Sequence, residues 1–209
     1  DLNEDAVINV LDIVLQVNII IGIENNPTSY AECAADINAD GVIDVLDIIL
    51  NINIITQGNG LQRAHQRTDA VSSFANIEVN GENVSLLSDG KISGLQMVLS
   101  TDGNIRFNQD LNMNMVSNES NGLHTVVVYH MENFIDPGVN KLFDVSSTFE
   151  IIEAKVVSSE SQYVDVQIAN MIPDSFTLNS IYPNPFNPST SISVNVPESS
   201  SLVLEVYDI

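Results

Sequence analysis

The chain has 209 residues, and its 28 Asp and Glu against 6 Lys and Arg give a formal charge of −22. That balance opposes nucleic-acid binding, which needs Lys and Arg to release counterions, and suits divalent cations instead. No run of about 18 apolar residues occurs, so no membrane span is expected, and the lone Cys33 excludes an intramolecular disulfide. Composition shifts along the chain, favouring several small modules over one large domain.

Self-similarity comes first. DLNEDAVINVLDIVLQVNIII, Asp1 to Ile21, aligns without gaps on DINADGVIDVLDIILNINIIT, Asp36 to Thr56. In the second copy, Asp36, Asn38, Asp40, Asp44 and Asp47 occupy positions one, three, five, nine and twelve of a loop, with Gly41 at six. A loop curling around a hard cation turns alternate side chains inward, glycine at six permits the sharp turn, and position seven, Val42, offers its backbone carbonyl. The first copy places Asp1, Asn3, Asp5, Val7, Asn9 and Asp12 at the matching positions but has Ala6 at the turn. A Cβ forced to positive φ costs roughly 1 kcal/mol, and Asn9 removes a charge, so the first site is expected to be the weaker. Apolar stretches follow each loop, Val10 to Ile21 and Val45 to Ile55. Their β-branched content would allow strand, but Asp12 and Asp47 in the first turn favour the positive end of a helix dipole, so helices are expected.

This paired pattern resembles a type I dockerin over Asp1 to Thr56, about a quarter of the chain. The resemblance implies a small all-α module of EF-hand-like loops and helices holding two calcium ions, bringing −22 to about −18. It also implies docking onto a cohesin through Val10, Leu11, Val45 and Leu46 at loop positions ten and eleven. Cellulosomal dockerins often carry a hydroxyl pair there, whereas this chain is apolar in both copies, and the same residues also fit an ordinary buried helix face.

Residues 59–72 are polar and read as a linker after a module of residues 1–58. From about residue 73 to 171, short runs FANIEV, NVSLLS, ISGLQMVLS, HTVVVYHM, KLFDVSSTFEI and YVDVQI alternate with Asn-Gly, Asp-Gly and Pro-Gly turns. They predict an all-β antiparallel sandwich. The order of ISGLQMVLSTDG, NGLHTVVVYHM and IDPGVNKLFDVSSTFE is similar to cohesin domains, implying a cohesin-like fold that binds the dockerin-like module within the chain or between chains. His124 and His130 lack metal-site companions, and the pairs Asp136 with Asp144 and Glu150 with Glu153 lack a scaffold for acid and nucleophile roles. No enzyme is expected in this segment, and Tyr129, Tyr163 and Phe149 are read as core or rim.

Residues 172–209 begin with an extended, proline-held approach, followed by the alternating runs SISVNV and LVLEVYDI. Tyr182, Pro183, Asn184, Pro185, Phe186, Asn187 and Pro188 resemble the opening of the C-terminal sorting domain of the type IX (Por) secretion system, which implies secretion machinery as a second partner. With Asp1 in place of Met and an end inside that domain, the chain is expected to be a piece of a longer polypeptide. The combined expectation is a calcium-dependent docking protein, extracellular or on a bacterial surface, assembling complexes such as polysaccharide-degrading ones. The alternatives are a fragment of a secreted glycoside hydrolase with its catalytic domain upstream, or an extracellular structural or adhesion protein.

Overall fold

The computed structural model describes residues 1–57, 72–170, 177–182, 191–195 and 203. It divides into two compact units, Asp1–Ala169 and Asn170–Ile209.

The first unit opens with three helices, α1 (Val10–Ile20), α2 (Ser29–Ala35) and α3 (Val45–Gln57). Helix prevails over the β-branched composition of α1 because its start is capped twice. The Asn9 side chain accepts the Leu11 N–H at 2.7 Å, and the Asp12 carboxylate accepts the Asn9 N–H at 2.8 Å. The repeat gave no sign of α2, which lies between the copies and is capped by Thr28 Oγ1 accepting the Ala31 N–H at 3.1 Å.

Nine strands follow: β1 (Phe74–Asn80), β2 (Asn83–Ser88), β3 (Ile92–Thr101), β4 (Ile105–Phe107), β5 (Asn114–Ser120), β6 (Leu123–Tyr129), β7 (Gly138–Val145), β8 (Phe149–Ser158) and β9 (Tyr163–Asn170). They hydrogen-bond in the order β4-β7-β2-β1-β9-β8-β3-β6-β5. The ladder folds over on itself, because Ala75, Ile77, Val84, Leu86, Phe143 and Val145 from one half share a core with Leu95, Met97, Leu99, Val126, Val128 and Val156 from the other. Phe107 and Phe143 meet edge to face at 6.2 Å between ring centres. The expected antiparallel sandwich is therefore present.

Two details differ from the sequence reading. KLFDVSSTFEI is two strands, because the chain crosses between the halves at Ser146, whose N–H reaches Asn104 O at 3.0 Å while its hydroxyl accepts the Asn104 N–H at 2.9 Å. The polar segment NMVSNES forms edge strand β5, pairing with β6 through a two-residue turn in which Asn121 and Gly122 have φ of 54° and 78°. Positive φ at both positions makes this a type I′ hairpin, so turn chemistry defines a strand that hydrophobicity does not.

In the second unit, β10 (Thr177–Tyr182) pairs antiparallel with β11 (Ser191–Asn195). The expected strand SISVNV is thus in place over Ser191–Asn195, while Pro183 to Pro188 and, apart from Val203, LVLEVYDI lie outside the described residues, as does most of the expected linker. Among the described residues no helix is long and apolar enough to cross a membrane.

Asp89, in the β2–β3 turn, ties down the entry to β1. Its carboxylate accepts hydrogen bonds from the Ser73 hydroxyl, the Ser72 hydroxyl at 3.0 Å, the Ser73 N–H at 2.8 Å and the Phe74 N–H at 3.2 Å. The Ser73 hydroxyl foremost, then the backbone donors, hold its pKa well below the usual carboxylate range. Because the folded value is depressed, the associated stability is present above the unfolded value of about 3.9 and is lost as pH falls through the lower folded value. Denaturant midpoints measured from pH 5 down to pH 2 are expected to fall less steeply in Asp89→Asn than in the parent chain.

Candidate functional site

The two loops share one internal scaffold. Asp1 accepts the N–H groups of Asp5 and Ala6, as Asp36 accepts those of Asp40 and Gly41. Asn3 and Asn38 each accept the N–H two residues on and donate to the next carboxylate, Asp5 or Asp40. Those carboxylates in turn accept the N–H of Val7 and Val42, both at 2.8 Å. Asp12 reaches back to the N–H groups of Leu2 and Asn9, and Asp47 to those of Ile37 and Asp44. Identical spacing therefore produces the same inward turn of positions one, three, five and twelve.

The position-six difference is visible in the backbone. Gly41 has φ of 87° and Ala6 has φ of 69°, so the alanine occupies the left-handed region that favours glycine. Among the described residues, no three Asp, Glu, His or Cys side chains are already gathered as a metal cluster. The test of fit is the donor set, which is all oxygen and therefore hard, and includes carboxylates with lone pairs to spare. Asp47 adds a second criterion, because burial holds its carboxyl above the usual range despite the donors around it. A cation beside it would compensate that charge. At Asp12 burial also pushes upward most strongly, but the N–H groups of Asn9 and Leu2 prevail and the carboxyl is held low. The donor set is thus compatible with calcium: the inward side chains are Asp1, Asn3, Asp5 and Asp12 in one loop and Asp36, Asn38, Asp40 and Asp47 in the other, whereas the expected position-nine ligands, Asn9 and Asp44, instead cap the starts of α1 and α3.

Behind the loops, α1 and α3 pack through Ile13, Val17, Ile48 and Ile52. Gln16 and Asn51, equivalent positions of the two repeats, meet in this buried layer at 3.1 Å, and Gln16 also donates to Ala35 O at 2.8 Å. The polar groups are paired, so their burial is tolerated.

Beneath this module lies the outer face of the sandwich. Strand alternation sends Val126 and Val128 of β6 into the sandwich core, whereas Val127, with Val157 of β8, joins the cluster of Val45, Leu46, Ile48, Ile49 and Ile52. Gly94 of β3 makes the close approach possible, since a Cβ there would lie 3.0 Å from Val45 Cγ2 and 3.1 Å from Ile49 Cδ1. Polar contacts frame the apolar seat. The Val45 N–H donates to Gln96 Oε1 at 3.1 Å, Asn53 Nδ2 to Ser161 Oγ at 2.8 Å, and Asn118 Nδ2 to Ile21 O at 3.1 Å.

Asp44, loop position nine, faces this seat. Its Oδ1 accepts the Leu46 N–H at 2.9 Å, capping α3, while Oδ2 accepts both Lys155 Nζ and Tyr163 OH at 2.6 Å. The carboxylate is fully buried. Burial pulls Lys155 down, but Asp44, then Glu153, outweigh it and leave its pKa raised. Burial, followed by the Asp44 hydrogen bond, pushes the Tyr163 phenol up. Tyr163 therefore serves as a docking group as well as a rim residue.

The four residues read as partner-facing divide cleanly. Val45 and Leu46 are 0% and 8% exposed against the sheet and its helices, whereas Val10 and Leu11 are 53% and 54% exposed. Gly94, Gln96, Lys155 and Ser161 were not singled out by the sequence, and Tyr163 was read only as core or rim. The one legible sign was the unbroken Val126-Val127-Val128 run, since a strand with a solvated face should alternate.

Among the residues weighed for catalysis, His130, Asp144 and Glu153 have structural partners. His130 Nδ1 accepts the N–H groups of Glu132 and Asn133 at 3.0 and 2.9 Å, and Asp144 pairs with Lys141 at 2.8 Å. The substitution Gly94→Val is expected to push α3 from the sheet and cost about 1–3 kcal/mol, as overpacking does. Faster amide exchange through α3 with β1 and β2 unaffected would report it, and unchanged exchange in α3 would contradict the close approach.

Three solved structures are similar to part of the chain. They are a non-cellulosomal cohesin from Archaeoglobus fulgidus, at 12% identity over 48% of this chain and 85% of that one, TM-score 0.33; a Clostridium thermocellum type I cohesin–dockerin complex, at 9% over 48% and 92%, TM-score 0.32; and the cohesin module of a Clostridium perfringens family 33 glycoside hydrolase, at 14% over 49% and 96%, TM-score 0.29. A search of curated proteins finds no match. Residues 1–56, containing both loops and the helices after them, match the family model of the dockerin type I domain.

Proposed function

We propose that the chain is a calcium-dependent protein-docking unit in which a dockerin-like module seats on the cohesin-like sandwich that follows it. The observation that carries this reading is the second repeat lying on the outer face of β3, β6 and β8, with Asp44 held by Lys155 and Tyr163. The family match over residues 1–56 supports the same reading from the sequence side. No catalytic step is assigned to the chain.

Calcium, when bound, would supply the positive charge that the inward carboxylates of each loop lack. Because the loops fix the starts of α1 and α3, cation binding is coupled to folding. Calcium at about a thousandfold above a site's dissociation constant would stabilise the fold by roughly 4 kcal/mol per site. The motif from Tyr182 to Pro188 supports a further proposal, that residues 172–209 begin a sorting domain directing a secreted or cell-surface protein. Assembly of extracellular, polysaccharide-degrading complexes is the setting that suits both proposals.

Calorimetric titration of the intact chain with calcium is expected to show two binding events, the tighter at the Asp36 loop because Ala6 at positive φ strains the Asp1 loop. Asp36→Ala combined with Asp47→Ala should leave one event, and chelator should reduce the helical circular dichroism of the parent chain. Absence of calcium binding, together with a helical signal indifferent to chelator, would refute the calcium-dependent reading.

A further inference from the structure

The two repeats carry nearly the same apolar face, yet the structure seats one and leaves the other open. In the gapless alignment Val10, Leu11 and Val14 correspond to Val45, Leu46 and Ile49. The first three are 53%, 54% and 45% exposed and the second three 0%, 8% and 3%. Shape does not separate them far, since two of the three pairs are identical and the third differs by one methylene. Asn18 likewise corresponds to Asn53, the residue that reaches Ser161.

Position nine does separate them, with Asn9 in the first copy and Asp44 in the second. Both cap their helices through Oδ1, onto the Leu11 N–H at 2.7 Å and the Leu46 N–H at 2.9 Å. The second atom of the side chain then meets the sheet. For Asp44 it is a charged oxygen that accepts Lys155 and Tyr163 at 2.6 Å. An asparagine capping in the same way would present an NH₂ group there, a donor facing an ammonium and a phenol. The ammonium would lose its charge-assisted partner at 2.6 Å and keep only the more exposed Glu153 carboxylate at 3.6 Å, a worse outcome than the bonds Asp44 makes.

We propose that Asp44 is the specificity-determining residue of the docking, selecting the second repeat for the sheet and leaving the face of Val10, Leu11 and Val14 uncovered. The inference rests on the docking reading above, and the test separates the two. In full-length chain carrying Cys33→Ser, with calcium and at high dilution, Asn53→Cys with Ser161→Cys is expected to cross-link intramolecularly with a short bifunctional thiol reagent. Asn18→Cys with Ser161→Cys should cross-link at least tenfold less. Exchanging the two residues, Asn9→Asp with Asp44→Asn, should reverse that preference at unchanged net charge, and Lys155→Met should abolish it.

Persistence of the Asn53 preference after the exchange would overturn the proposal while leaving docking intact, since the choice would then lie in the tether or the apolar fit. Loss of both cross-links after the exchange would overturn it as well, making Asp44 a support and not a selector. Failure of both pairs to cross-link in the unexchanged chain would remove the docking reading, and the proposal with it.

Discussion

Val127 of β6 and Val157 of β8 are buried apolar side chains on the outer face of the sandwich, and an apolar patch placed there must be covered. One face of β3, β6 and β8 meets the opposite half of the sandwich; the other carries Val127 and Val157 and would meet water if α3 were absent. Burying an aliphatic side chain of this size is worth about 2 kcal/mol, so several of them on each partner give the helix a strong reason to lie there. Gly94 sets how near it can come, because no side chain stands between the β3 backbone and the methyl groups of Val45 and Ile49.

Apolar burial is not directional, and the polar frame supplies the direction. Asp44 links three requirements in one side chain: it ends the second loop, caps α3 and neutralises Lys155 beneath the helix. The conformation of the loop is thereby tied to the position of the helix on the sheet. Gln16 and Asn51 join the two repeats across their buried contact, so the module meets the sheet as a unit and not as separate helices. The first loop repeats the inward hydrogen bonds of the second with Ala6 held at positive φ, which shows how strongly the spacing of its acidic and amide residues dictates its shape.

The parts of this arrangement that follow from periodicity were readable in advance. The gapless repeat and its Asp and Asn spacing located both loops and α1 and α3, because a cation loop has fixed offsets. Alternating runs located most strands of the sandwich. Helix α2 was missed because SYAECAA carries no apolar stripe, and β5 because its definition comes from the Asn121-Gly122 turn and not from hydrophobicity. The docking groups on the sheet were harder still. Lys155 and Tyr163 lie 111 and 119 residues from Asp44, and nothing local to either marks it as a partner. Only the Val126-Val127-Val128 run hinted that a second layer covers the outer face.

The most direct test of the account is the proximity of α3 to its own sheet in solution. Methyl-labelled full-length chain, saturated with calcium and dilute enough to be monomeric, should give nuclear Overhauser contacts between the methyl groups of α3, Val45 and Ile49 among them, and those of Val127 and Val157. Their presence is the result the account predicts. Their absence in folded, monomeric protein would mean that the two modules do not dock within the chain, and would contradict it.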